Sequence, residues 1–127
     1  MNFIERLFSG KPIIIDGAMG TLLFREVPEH RGPFELLNAD RPSVVEAIHE
    51  QYFLAGAHLV ETNTFGGSRI KLEEFGLGLR CEEINEKGAA VARRAADRHN
   101  GYVAGSVGPT GKLIEPMGDT SPELLIE

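Results

Sequence analysis

The sequence predicts an α/β fold with parallel strands. Three apolar segments each end in a glycine-containing turn, and helical periodicity fills the intervals between them. Strand–helix–strand order with right-handed crossovers produces a parallel sheet. The first strand covers residues 12–17. Ile13, Ile14 and Ile15 stand in succession, which reads as a strand buried on both faces, and Asp16-Gly17 stops it. A polar stretch containing Gly and Pro then runs from Arg25 to Arg41. Asp40 is placed to cap the next helix, with Pro42 in its first turn. Val45, Ile48, Tyr52 and Ala55 form its apolar stripe, and Gly56 ends it.

The second strand is predicted over 57–64, ending at Phe65-Gly66-Gly67. A short helix over 68–75 is closed by Gly76, and a longer one follows over 82–98. Ile84, Gly88, Val91 and Ala95 make the inner stripe of that longer helix. Its small residues permit close approach to a sheet. The third strand, 102–107, ends at Gly108-Pro109-Thr110-Gly111. Thr120 and Glu123 fit a capping box around Pro122, so another helix is expected to begin there. This order suits an open doubly wound sheet or a piece of a (β/α)8 barrel. Both place chemistry at the C-terminal ends of their strands.

Those ends carry the candidate site. Asp16 is an acceptor for an amine or hydroxyl, and the backbone N–H groups around Gly17 and Ala18 can hold a carboxylate. Asn63 and Thr64 can donate and accept. Each of these residues alone would read as a turn cap. Polar clusters with glycines at the same end of three strands point instead to a site for a small zwitterion such as an amino acid. No phosphate loop is written here: G-x-G-x-x-G is absent, and Gly111-Lys112 lacks both the earlier glycine and a following Ser or Thr.

Composition narrows the class. Of the 127 residues, 42% are hydrophobic and 25% charged, an ordinary globular composition that argues against disorder. The net charge of -6 and the lack of a Lys/Arg stripe argue against nucleic acid. No apolar run approaches the roughly 18 to 20 residues that span a bilayer. The N-terminal decapeptide is no signal peptide, so a cytoplasmic protein is expected. The single cysteine, Cys81, allows neither an internal disulfide nor a multi-cysteine zinc site. With the carboxylates of Glu82 and Glu83 beside it, a nucleophilic role is not expected. His49 falls on the amphipathic helix and His58 at a strand start. No two histidines have ligand spacing, and Glu73-Glu74 and Glu82-Glu83 read as solvated helix faces.

The run Ile15-Asp16-Gly17-Ala18-Met19-Gly20-Thr21 resembles the opening of the homocysteine-binding domain of the homocysteine S-methyltransferase family. So do Glu35-Leu36-Leu37-Asn38, Arg41-Pro42 with Ile48-His49, residues 55–66, and residues 103–111. The Asn-Thr-Phe and Gly-Pro-Thr-Gly forms are closest to the cobalamin-dependent methionine synthase branch. The resemblance implies a (β/α)8 TIM barrel. At roughly 250 residues for such a domain, residues 1–127 make about its first three βα units with parallel strands, an incomplete barrel.

It also implies a methyl transfer to the thiolate of homocysteine, with methylcobalamin or methyltetrahydrofolate as donor. Asp16, Gly17, Ala18, Asn63 and Thr64 would bind the substrate. The family's zinc ion, held by cysteines of later strands, lowers the thiol pKa. Those ligands, and the cobalamin and folate modules, are expected downstream. No catalytic or metal residue is assigned in this chain. His58 stands where relatives often carry Asp. At the N-terminal end of its strand it is expected to have little functional effect. A part-barrel would expose apolar strand edges, so these residues alone are expected to be marginally stable or self-associating. The alternative reading is a non-catalytic half-barrel serving as a binding or assembly module.

Overall fold

The computed structural model describes residues 1–126. Helix α1 is Phe3–Leu7, α2 Gly20–Glu26, α3 Leu37–Asp40 and α4 Pro42–Leu54. Strand β1 (Leu59–Glu61) is followed by α5 (Arg69–Glu73), α6 (Cys81–His99) and β2 (Tyr102–Ala104). Single 3-10 turns occupy Phe34–Leu36, Gly78–Arg80 and Pro122–Leu125. β1 and β2 pair in parallel, Leu59 opposite Tyr102 and Glu61 opposite Ala104.

The first predicted strand is reduced to one parallel bridge, Ile15 to Leu59. The reason lies in two side chains. Ile14 N–H donates to His58 Nδ1, and Glu61 N–H donates to the Asp16 carboxylate, where a longer ladder would use main-chain carbonyls. The predicted burial of this segment on both faces is also corrected: Ile14 and Ile15 are each 54% exposed. Only one neighbouring strand pairs with it among the described residues.

Other boundaries shift for local reasons. Asp40 does not cap α4. It closes α3 and pairs with Arg80 at 3.5 Å, while Arg41 holds the N-cap position of α4 without a side-chain capping bond. The expected loop over 25–41 contains α3 and a 3-10 turn, because Leu37 and Asn38 are buried there. The expected C-terminal helix is a 3-10 turn, with Ser121 rather than Thr120 at the N-cap position and no side-chain cap bond there. In α4 the buried positions are Val45, Ile48, His49 and Phe53. Ala55 is exposed, and Tyr52 turns toward residue 18.

Helix α6 buries the predicted stripe Ile84, Gly88, Val91 and Ala95, together with Ala92 and Ala96. One core cluster joins Leu23, Val27, Leu37, Val45, Ile48 and Val91. A second joins Phe53, Val60, Ala92, Ala95 and Ala96. Glu46 and Glu50 of α4 meet Arg94, Arg98 and His99 of α6 along the solvent side. Exposed pairs of this kind fix register more than they add stability.

Gly88 shows how tightly this packing is set. A Cβ there would lie 2.6 Å from Asn38 Nδ2 and 2.8 Å from Thr64 Cγ2. Alanine improves helix propensity by about 1 kcal/mol, whereas overpacking costs about 1–3 kcal/mol. Gly88→Ala is therefore expected to lower stability despite the better helix former. A thermal melt of the variant beside the wild type checks the sign.

Candidate functional site

The C-terminal ends of the parallel segments converge on a cavity of about 360 Å³. Asp16, Gly17 and Asn63 line it, joined by Glu35, Glu61 and Ser106. Asp16 is half-buried, and both its carboxylate oxygens lie 3.1 Å from the Glu61 amide nitrogen. Burial pushes its pKa up to about 6. The Glu61 charge adds to the rise, and the amide hydrogen bond opposes it. Tyr52 Oη donates to the Ala18 carbonyl at 2.6 Å and holds the Gly17 turn against α4. A Cβ at position 17 would lie 3.2 Å from that hydroxyl, so glycine lets the turn close.

Asn63 is buried, and its Nδ2 donates to the Phe34 carbonyl and to Asn38 Oδ1, each at 3.0 Å. Both amide hydrogens are thereby used, and only its oxygen remains to offer a ligand. Asn38 is held in turn. Its Nδ2 donates to the Asn63 carbonyl at 2.7 Å and to the Ile84 carbonyl at 3.3 Å. The α6 backbone thus positions a cavity residue through one buried amide.

Two predicted residues, Ala18 and Thr64, are not among the residues whose side chains or backbone line the cavity, and Ala18 flanks it from the exposed side of the turn. Ala18 contributes the carbonyl that anchors Tyr52. Thr64 belongs to a closed ring. Ser106 N–H donates to Thr62 Oγ1 at 2.9 Å, the Thr62 and Thr64 hydroxyls are 2.6 Å apart, and Thr64 Oγ1 donates to the Ser106 carbonyl at 2.8 Å. Since Thr64 gives its proton to that carbonyl, Thr62 gives its own to Thr64. The ring ties the end of β1 to the loop after β2.

Glu35 was not singled out as a site residue by sequence reasoning. It lies in a 3-10 turn far from any predicted strand end. Its Oε1 accepts the Gly66 N–H at 2.7 Å, and a Cβ on Gly66 would come within 2.9 Å of the same oxygen. The sequence signal was Gly66 itself, a glycine where a side chain approaches the backbone. Glu61 was hidden by its place inside a strand.

The cavity therefore presents carboxylates from Asp16, Glu35 and Glu61 and no Lys, Arg or His among its lining residues. Such a site favours a cationic group such as an ammonium. Among the described residues no group of three His, Cys, Asp or Glu side chains could hold a metal ion. Cys81 opens α6 and directs Sγ to the Gly67 carbonyl at 3.2 Å. No helix among the described residues is long and apolar enough to cross a membrane.

The homocysteine S-methyltransferase family profile matches residues 13–126. The chain belongs to this family. Methionine synthase of Mycobacterium leprae is 43% identical over 112 residues, which are 77% of this chain and 9% of that protein. Methionine synthase of Mycobacterium tuberculosis is 41% identical over 121 residues, 84% of this chain and 10% of that protein. The chain thus spans about a tenth of the length of these relatives. Among solved structures, the homocysteine methyltransferase MmuM of Escherichia coli, in a metallated form, superposes with a TM-score of 0.70 at 26% identity. The match covers 87% of this chain and 42% of that one. The mixed α/β fold is that of a family member, with the cavity at the strand ends where parallel α/β enzymes place their chemistry.

Proposed function

We propose that this chain forms the amino-acid-binding part of a homocysteine S-methyltransferase domain of the methionine synthase type. The observation that carries the reading is the acidic cavity at the strand ends of a family member. The ammonium of homocysteine sits against Asp16, with Glu35 and Glu61 contributing to the negative field. The carboxylate points away from these groups, toward the main-chain amides at Gly17 and Ala18, and Asn63 offers its amide oxygen. Thr64 supports the wall through Ser106.

The strands are read as the first of a (β/α)8 barrel, residues 1–127 forming its N-terminal portion. The parallel order and the half-exposed Ile14 and Ile15 support this, since a closed barrel would give that segment a second neighbour. The family's zinc does not fit the residues here, for want of a ligand set among those described. The chain's part is confined to binding and orienting the substrate. The methyl donor, methylcobalamin or methyltetrahydrofolate, and the modules that carry it rest on the resemblance to methionine synthases. A cytoplasmic location fits the lone cysteine.

Titration calorimetry of the full-length protein with L-homocysteine tests the reading. Saturable binding is expected, with marked weakening for 3-mercaptopropyl analogues that lack the amine. Equal affinity with and without the amine refutes the assignment of the acidic cavity. Binding without any methionine formation by the intact protein favours the non-catalytic module.

A further inference from the structure

We propose that the opposite end of the sheet holds a second site, for a phosphate-class oxyanion. A cavity of about 450 Å³ opens at the N-terminal ends of β1 and β2, lined by Arg6, Ser9, Lys11, His58 and Tyr102, among others. In a chain of net charge -6, this pocket gathers cations. Neither Arg6 nor Lys11 has a carboxylate within ion-pair distance among the described residues. The carboxylates of neighbouring elements are engaged elsewhere: Glu5 of α1 accepts from the Asn2 amide, and Glu50 of α4 is held by His99 and Arg98.

The decisive geometry is at His58. Its Nδ1 accepts the Ile14 N–H at 3.1 Å, so in the neutral ring the proton resides on Nε2. That Nε2 lies 3.4 Å from Arg6 Nη2. Both atoms are donors, and neither can satisfy the other. Arg6 cannot simply swing away, because the same Nη2 is anchored on the Pro12 carbonyl at 2.9 Å. Two fixed donors side by side are satisfied together by one anionic oxygen, and a guanidinium with an imidazole N–H is a strong pair for phosphate. Lys11 adds a second positive charge to the lining, beside the Arg6 guanidinium. The volume exceeds that of a bare phosphate and leaves room for a small organic ester. His58, expected from sequence to matter little, is the residue that creates the site.

The test uses the full-length protein at constant ionic strength, titrated with inorganic phosphate, with ethyl phosphate and with chloride. Saturable binding of phosphate but not chloride is expected. Tighter binding of ethyl phosphate would identify a phosphomonoester as the ligand, and equal binding a free phosphate. Arg6→Gln should weaken binding at least tenfold, and Lys11→Gln severalfold. In His58→Asp the carboxylate can accept from Ile14 and pair with Arg6, so binding should be lost while the melting temperature is kept. Homocysteine binding at the other end should not change. Phosphate affinity no greater than that of chloride, or wild-type affinity in His58→Asp, overturns the proposal. So does a pocket filled by an acidic side chain of another segment, visible as phosphate-independent pairing with Arg6.

Discussion

Acidifying the protein from pH 7 to pH 4 is expected to remove on the order of 3 kcal/mol of folding stability through one residue, His49. This side chain is fully buried in α4, and neither ring nitrogen has a hydrogen-bond partner. Burial pushes its pKa from 6.5 down to about 4, while the Glu46 charge opposes the shift. The native state therefore holds the ring neutral, while the unfolded chain takes up a proton near pH 6.5. Stability from this residue is complete above about pH 6.5 and is lost as the pH falls toward 4. Asp16 acts in the opposite direction. Its native pKa is raised, so protonation on acidification favours the folded state. The comparison that isolates His49 is thus wild type against His49→Leu, by urea unfolding at pH 7 and pH 4.5. The variant should lose far less stability between the two pH values. At pH 7 it should equal or exceed the wild type, because an unpaired buried polar group costs about 1–3 kcal/mol. Equal acid losses in both proteins would refute the account.

The largest expected effect on substrate is at Asp16. Charge-assisted hydrogen bonds contribute about 1.5–3 kcal/mol, so Asp16→Asn should raise the KM for homocysteine by roughly 10- to 100-fold, with a smaller change in kcat. The pH profile gives an independent reading. With its pKa pushed up to about 6, Asp16 takes up its proton as the pH falls through that value. The wild-type KM should rise as the pH falls through about 6, and Asp16→Asn should lack that limb. Bound ammonium stabilises the carboxylate, so the inflection in the substrate complex should lie lower than in the free protein. A KM unchanged by the substitution would place the amine elsewhere.

These two residues also show what the sequence could carry. Asp16 was legible because it closes an apolar β-branched run and precedes glycine. Small residues at helical spacing likewise revealed the inner face of α6. Glu35 was not legible, since its contact with Gly66 joins segments 31 residues apart. Nothing in a local pattern reports such a meeting. Threonine at a strand end reads equally as ligand group or backbone partner, and the contact that Thr64 makes with the Ser106 carbonyl, 42 residues away, is not written in the local pattern. His49 read as an ordinary member of an amphipathic helix, since periodicity places a residue on the inner face but does not supply its partners. The first strand was overestimated for a related reason. Three isoleucines define β propensity, but pairing was cut short by His58 and Asp16, whose side chains took the adjacent amide hydrogens.

The ring linking Thr62, Thr64 and Ser106 has a consequence for recognition. Every hydroxyl proton in it is already spent, so its threonines have none to give a ligand. They hold the rear of the cavity in one arrangement before any ligand arrives. Much of the ordering entropy is thus lost on folding rather than on association, and the contact energy of the amino acid proposed as ligand is free to appear as affinity. Discrimination then falls to the carboxylates and to the shape of the turn at Gly17, on a frame that has no need to rearrange.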